Sequence, residues 1–289
     1  YIALLDNLRF HPEEEKGDPD FAKAIARLGD VYVNDAFGTA HREHASTATI
    51  ARCFPGKAYA GYLMYNEVMN LEKVVNCQAR PFTAIIGGSK VSTKINILTN
   101  LLPKVDNLIV GGGLSYTFLA AMGLKIGNSL YEPDMLPVAK QILAQVDATG
   151  TNFFCRLDSV CGDHFGNDAQ VMIPKDNNIP DGWEGLDIGP KSRRNIAQVI
   201  KNSSTILWNG PVGVFELEKF SKGTKAVAIS VAAATIAGAY SVIGGGDSIA
   251  AIDKYELADY ISYISTGGGA MLEYLEGKEL PGVKALNEN

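Results

Sequence analysis

Apolar runs that stop at glycines recur along this chain: "TAIIGG" (83–88), "NLIVGGG" (107–113), "STILWNG" (204–210), "YSVIGGG" (240–246) and "YISTGGG" (263–269). Each is short enough for one strand and shows no polar alternation, so both of its faces need apolar cover. Stretches with helical spacing accompany them: "KINILTNLLPKV", "LSYTFLAAMG", "TKAVAISVAAATIAG" and "SIAAIDKYELADY". Continuous apolar strands alternating with helices specify a parallel sheet covered on both sides. The segment 82–273 therefore reads as one doubly wound α/β domain.

The part ahead of it differs. "FAKAIARLG" is a helix stopped at Gly29, a strand follows at 30–34, and a polar loop then carries His41 and His44. The stretch 58–76 is a long helical pattern suited to joining two domains. The stretch 150–190 is turn-rich with one or two strands. The glycine clusters are unequally spaced, which excludes a solenoid.

In an open parallel sheet, ligands sit outside the carboxyl ends of the strands, and helix N-termini there offer free N–H groups to anions. Gly87–Gly88, Gly111–Gly113, Gly244–Gly246 and Gly267–Gly269 all fall at that edge. A tight turn explains one glycine pair. Four clusters on one side of one sheet point to a phosphate-bearing ligand. The chain has neither GxxxxGK[ST] nor GxGxxG, which disfavours a P-loop NTPase and a typical dinucleotide dehydrogenase.

Lys90 and Lys94 follow Gly87–Gly88 at i and i+4. A helix starting near Ser89 puts both on one face of its first turns, where they oppose the helix dipole unless a polyanion is bound. The plain alternative is two solvated lysines. Asp247, directly after Gly246, reads equally as an N-cap and as a Mg²⁺ ligand on a nucleotide. "WNGPVGVFE" (208–216) reads either as a turn and strand or as an adenine wall of Pro211 and Val214, with Glu216 on a ribose hydroxyl. Arg9 and Arg42 end apolar stretches and suit a bidentate grip on carboxylate or phosphate. His41 and His44 are structural or add to that grip.

Of 289 residues, 46% are apolar and 20% charged, with net charge −6. That is a soluble globular composition, large enough for one or two domains, and it argues against a nucleic-acid partner. No apolar run is long enough for a membrane span. Four cysteines without CxxC spacing suit free thiols in a cytoplasmic setting. The start has neither a Met nor a basic signal-peptide region, and the chain is expected to be a fragment.

The stretches "NLRFH" (7–11), "NDAFGTAHREHAS" (34–46), "GGSKVSTKI" (87–95), "VGGGLSYTFL" (110–119), "DIGP" (187–190), "WNGPVGVFE" (208–216), "IGGGDS" (243–248) and "STGGGAMLEYLEGKELPGV" (265–283) together resemble phosphoglycerate kinase. They run in the family's order over nearly the whole chain. The resemblance implies two Rossmann-like, doubly wound parallel α/β lobes, the first of them incomplete here. Residues 1–75 would be the rest of the phosphoglycerate-binding lobe plus an interdomain helix. Residues 76–273 would be the nucleotide lobe, and 274–289 a tail returning to the first lobe. It implies the glycolytic transfer of a phosphoryl group between 1,3-bisphosphoglycerate and ADP, giving 3-phosphoglycerate and ATP with Mg²⁺, in a cytoplasmic monomer.

By matching motif, Lys94 would meet the transferring phosphoryl group, with Lys90 adding charge. Gly87, Gly88, Gly112, Gly113 and Gly185 would line the nucleotide cleft. Pro211 and Val214 would lie near adenine and Glu216 on the ribose. Gly245, Gly246, Asp247 and Ser248 would cradle the phosphates, with Asp247 toward Mg²⁺. The amides of Gly267, Gly268 and Gly269 would face the migrating phosphoryl group. Arg9, Arg42 and His41 would hold phosphoglycerate. Lobes closing about the 58–76 helix would exclude water. The family's N-terminal "R-x-D-F-N-x-P" strand and further substrate-binding residues are not in this sequence. The expectation is a chain that binds nucleotide but is catalytically impaired. The rival readings are another α/β nucleotide-cofactor enzyme and a non-catalytic nucleotide-binding module.

Overall fold

The computed structural model describes residues 2–288. Along the chain lie α1 (Pro12–Glu15), α2 (Pro19–Ala26), β1 (Tyr32–Asn34), β2 (Ala58–Ala60), α3 (Tyr62–Val75), β3 (Phe82–Ile86), α4 (Ile95–Leu101), β4 (Asn107–Val110), α5 (Leu114–Ala121), α6 (Leu136–Thr149) and β5 (Asn152–Phe154). Then follow β6 (Ser159–Gly162), β7 (Val171–Met172), β8 (Glu184–Ile188), α7 (Pro190–Lys201), β9 (Thr205–Asn209), α8 (Lys222–Ile236), β10 (Tyr240–Gly244), α9 (Gly246–Lys254), β11 (Tyr263–Ser265), α10 (Gly269–Leu275) and α11 (Pro281–Asn287). They form two units. One runs up to Leu71 and resumes at Thr266; the other is Glu72–Ser265.

In the second unit a six-stranded sheet has the order β11-β10-β9-β3-β4-β5, and every pair in it is parallel. Strands β3, β4 and β9 are buried at every position. Their continuous apolar character thus matches cover on both faces. Ile85, Ile109, Ile206, Trp208 and Ile243 meet Ile196 and Ile200 of α7 and Val227 and Val231 of α8 in one core. The chain leaves β3 toward β4 and β5, then resumes at β9 on the other side of β3. That reversal is a topological switch point, where a crevice opens outside the strand ends. The 150–190 stretch holds more strand than its turn-rich composition suggests: β5, then the antiparallel sheet β7-β6-β8.

In the first unit, β1 and β2 pair in parallel from Tyr32↔Ala58 to Asn34↔Ala60. Helix α2 starts where Asp18 Oδ1 accepts from the Asp20 and Phe21 amides at 2.9 and 2.8 Å, with Pro19 in the first turn. Ala22, Ala45, Ala48, Ile50 and Ala51 form its core with Ala285 of α11. The expected boundaries of 76 and 273 shift. Residues 72–75 belong to the second unit, and Thr266 onward belongs to the first. The physical reason is that Glu67 of α3, fully buried, accepts from the Thr266 amide and hydroxyl at 2.7 and 2.8 Å. An added Cβ on Gly267 would also run into the Phe37 ring.

Candidate functional site

The crevice outside β3 and β9 is a cavity of about 490 Å³. Of the residues expected at a nucleotide, Gly88, Gly112, Gly113, Gly185, Pro211, Val214, Glu216 and Asp247 line it, while Gly87, Lys94, Gly245, Gly246 and Ser248 do not. Tyr116, Leu130, Arg156, Phe165 and Glu184 line it as well, and sequence reasoning missed them. They sit on α5, in loops and on β8; Tyr116 falls inside "VGGGLSYTFL" without having been singled out, and the other four lie outside the quoted motifs, so nothing local marked them.

Lys90 and Lys94 do not share a helix face. The segment 87–94 is a loop, and α4 begins only at Ile95, with Lys94 as its N-cap residue. Lys90 stays exposed. Lys94 is half-buried and donates to Asn209 Oδ1 at 2.5 Å. Asn209, 1% exposed at the end of β9, donates in turn to the Gly244 carbonyl at 2.8 Å. This chain of bonds ties the loops after β3, β9 and β10 together. Asn209 lay inside the "WNGPVGVFE" motif, and a buried amide at a strand end was its available signal. Ser248, fully buried, accepts from the Gly210 amide at 2.6 Å, so its hydroxyl braces the loop after β9. Asp247 is exposed in the first turn of α9, whose N-cap is Gly245, and its carboxylate has no hydrogen-bond partner among the described residues. The N-cap reading of Asp247 is thereby corrected.

The glycines sort into two kinds. A Cβ on Gly87 or Gly210 would strike the backbone of the facing loop, and one on Gly111 would strike Val212. These residues are glycine so that loops of the protein can interlock. Gly112, at φ +69°, faces the Gly88 backbone in the same way. A Cβ on Gly185 would strike the Tyr116 hydroxyl, and one on Gly245 would lie 2.8 Å from the Asn209 amide nitrogen. Gly88 meets only the end of the Lys94 side chain, at 3.8 Å, and Gly246 meets nothing within 4 Å. Those two leave room for a ligand.

The first unit has its own cavity, about 570 Å³, lined by Lys16, His41, Arg42, His44, Arg52 and the carboxylates Glu15, Glu43 and Glu273. Arg42 is exposed, with no side-chain partner among the described residues. Burial holds the His41 imidazole below its ordinary pKa, against the pull of the Glu273 carboxylate. Arg9 is not brought there. It is exposed beside α1, with Nε 4.0 Å from Glu15 Oε1. A residue that sequence reading missed shapes this loop: Glu14, 3% exposed, accepts from the Ser46 amide at 3.0 Å and the Ser46 hydroxyl at 2.5 Å. Gly268, at φ +50°, has nothing within 4 Å of its Cβ position, whereas a Cβ on Gly269 would lie 3.1 Å from the His41 ring.

Fold and crevice define a two-unit parallel α/β protein with a glycine-lined cavity at the switch point of its larger sheet. A family model described as phosphoglycerate kinase matches residues 1–278. A phosphoglycerate kinase of Microcystis aeruginosa is 51% identical over 287 residues, covering 99% of this chain and 71% of that one. The structure of phosphoglycerate kinase from Coxiella burnetii aligns with TM-score 0.92 at 44% identity, over 98% of this chain and 72% of that one. Phosphoglycerate kinase from Pyrococcus horikoshii OT3 aligns with TM-score 0.83 at 30% identity, over 99% and 72%. The chain belongs to the phosphoglycerate kinase family, and with it to the phosphotransferases.

Proposed function

We propose that the second unit binds a nucleoside diphosphate or triphosphate, that the first binds phosphoglycerate, and that the chain's chemistry is reversible phosphoryl transfer from 1,3-bisphosphoglycerate to ADP. The observation that carries this reading is the switch-point cavity lined by Gly88 and Asp247, with the end of the Lys94 side chain against Gly88 and open space over Gly246, the residue before Asp247, though Lys94 and Gly246 are not themselves in its wall. The Lys94 ammonium, oriented by Asn209, is positioned to neutralise charge on a terminal phosphate. The amides at the start of α9 suit the neighbouring phosphates. Lys90 is left to add charge from solvent.

Among the described residues no group of three His, Cys, Asp or Glu side chains could hold a metal by itself. A single unpartnered carboxylate, Asp247, fits Mg²⁺ that arrives on the nucleotide, and the ion would supply charge neutralisation across the phosphates. A carboxylate acceptor needs no general base, so positioning dominates the catalysis. In the first unit Arg42 and His41 are the phosphoglycerate contacts, and Gly268 and Gly269 offer amides to a phosphoryl group. Arg9 does not line that cavity, and its Nε lies 4.0 Å from Glu15, which does. The four cysteines are free among the described residues, in keeping with a reducing compartment, and no helix of the described residues is long and apolar enough to cross a membrane.

The test is calorimetric titration with Mg·ADP beside a coupled assay with 3-phosphoglycerate and ATP. One-site binding that Lys94→Met weakens about tenfold or more supports the proposal. Absence of any nucleotide binding refutes it, and binding with no transfer at all favours the non-catalytic module.

A further inference from the structure

Glu132 lies in the connection between α5 and α6, outside every motif singled out in the sequence, and it grips the loop 87–94 that carries Lys90 and Lys94. One carboxylate oxygen accepts from the Ser92 hydroxyl at 2.5 Å and the other from the Ser92 amide at 3.0 Å. Pro133 prepares this reach, because the residue ahead of a proline is pushed to extended backbone, and Glu132 sits at φ −114° and ψ 100°. Burial raises the Glu132 pKa, but the bonds from Ser92 and the Val91 backbone, with the Lys90 charge, outweigh it and hold the carboxyl below its ordinary value. The group is therefore charged at neutral pH.

The segment around Glu132 is itself anchored. The Glu132 amide donates to Thr117 Oγ1 of α5 at 3.1 Å. Ser129, 5% exposed, accepts through Oγ from the Gly185 amide of β8 at 2.8 Å, and the Asn128 amide donates to the Trp183 carbonyl at 2.8 Å. Leu130, between these anchors, lines the switch-point cavity, and Glu132 does not. Residues 128–132 thus form a strap fixed to α5 at one end and near the start of β8 at the other. The loop 87–94 is held at its start by the Gly87 and Gly88 amides on the Asn209 and Pro211 carbonyls, and it ends at the N-cap of α4. Glu132 takes hold of the stretch between.

A carboxylate beside a lysine loop that meets phosphate repels the ligand and draws on the lysine charge, so by Coulomb's law alone a glutamate here opposes binding. What offsets that cost is geometry. Both of its oxygens are bound to Ser92, midway between Lys90 and Lys94. Lysine is a point charge on a flexible stem, and its use to an anion depends on where its backbone is held. We propose that Glu132 is a positioning residue: from the strap beside the cavity it holds the 87–94 loop where Lys90 and Lys94 meet the nucleotide's phosphates, without touching the nucleotide itself. The inference rests on the reading of the cavity as a nucleotide site.

Calorimetric titration of the full chain with Mg·ATP, Mg·ADP and adenosine tests this. Glu132→Ala should weaken Mg·ATP about tenfold and Mg·ADP less, and leave adenosine within about twofold of the parent, because only the phosphates meet the loop. Charge alone gives the opposite sign, since removing a carboxylate would tighten Mg·ATP. Glu132→Gln keeps an acceptor for the Ser92 amide and a donor for its hydroxyl, and should stay within about threefold of the parent. Ser92→Ala added to Glu132→Ala should cost nothing further, since the two act through one contact. If Glu132→Ala binds Mg·ATP as tightly as the parent or more tightly, or if adenosine weakens as much as Mg·ATP, the positioning role is overturned while the nucleotide site stands. If the parent binds none of the three, the nucleotide reading itself fails, and this inference with it.

Discussion

Replacing Asn209 by Leu tests the link that joins the fold to the site. Leucine has the same branched heavy-atom skeleton as asparagine with bulkier methyl ends, so it opens no cavity and the loss is chiefly polar. Two bonds vanish: the 2.5 Å contact from Lys94 and the 2.8 Å donation to Gly244. Lys94 is half-buried, so water recovers part of its loss, and about 1–2 kcal/mol is a reasonable share. The Gly244 carbonyl is buried and loses its amide donor, which costs about 1–2 kcal/mol more. The sum is about 2–4 kcal/mol. For a unit of this size each kcal/mol lowers the melting temperature by about 2–4 °C, so the midpoint should drop by about 5–15 °C. Urea unfolding followed by tryptophan fluorescence reads this directly, because Trp208 is fully buried next to the substituted residue. Mg-nucleotide affinity, measured well below the new midpoint, should fall by about tenfold as Lys94 loses its orientation. A variant within about 0.5 kcal/mol of the parent would show that the Lys94–Asn209–Gly244 chain does not hold the loops, and the argument from it would be wrong.

Other outcomes follow from the same geometry. Gly246→Ala adds a methyl group where nothing lies within 4 Å and φ is not left-handed, so melting should stay unchanged while nucleotide affinity falls. Gly87→Ala drives a methyl group into the loop after β9 and should destabilise the second unit by about 2 kcal/mol or more, visible in the same urea titration. Glu14→Ala strips two acceptors from Ser46 and should cost about 2–3 kcal/mol, with phosphoglycerate binding weakened when titrated at low temperature. Asp187 is fully buried, and desolvation pushes its carboxyl up to about 7. Its folded pKa lies above the unfolded value, so the folded state holds the extra proton between about pH 4 and 7, and stability falls across that window as pH rises. Asp187→Asn should flatten this slope, its advantage over the parent growing from pH 5 to pH 8 by an amount on the order of 3 kcal/mol; parallel stability curves for the two proteins would contradict it.

Arg156 and Glu14 show where reading a chain residue by residue stops. Both are charged side chains that composition alone places at the surface, and both are buried because their partners come from remote segments: Ser115 and Gly112 for one, Ser46 for the other. The Lys90–Lys94 pair shows the converse. Spacing of four implied one helix face, but the loop at 87–94 is held in place by backbone bonds to the end of β9 and the segment after it, from the Gly87 amide to the Asn209 carbonyl and from the Gly88 amide to the Pro211 carbonyl. Local periodicity carries no information about such a cross-strand bond.

The sequence by itself determined the parallel sheet, the covering helices and the edge at which the glycine-lined cavity opens. These follow from patterns within a dozen residues: unbroken apolar strands, helical spacing and glycines at strand ends. Only the tertiary structure decided which glycines leave open space and which interlock the protein's own loops, where Thr266 onward is anchored, and which charges stand in the cavity wall. Those outcomes depend on contacts between segments tens to hundreds of residues apart, such as Glu67 with Thr266 and Lys94 with Asn209. Such contacts exist only once the crossovers between strands have closed.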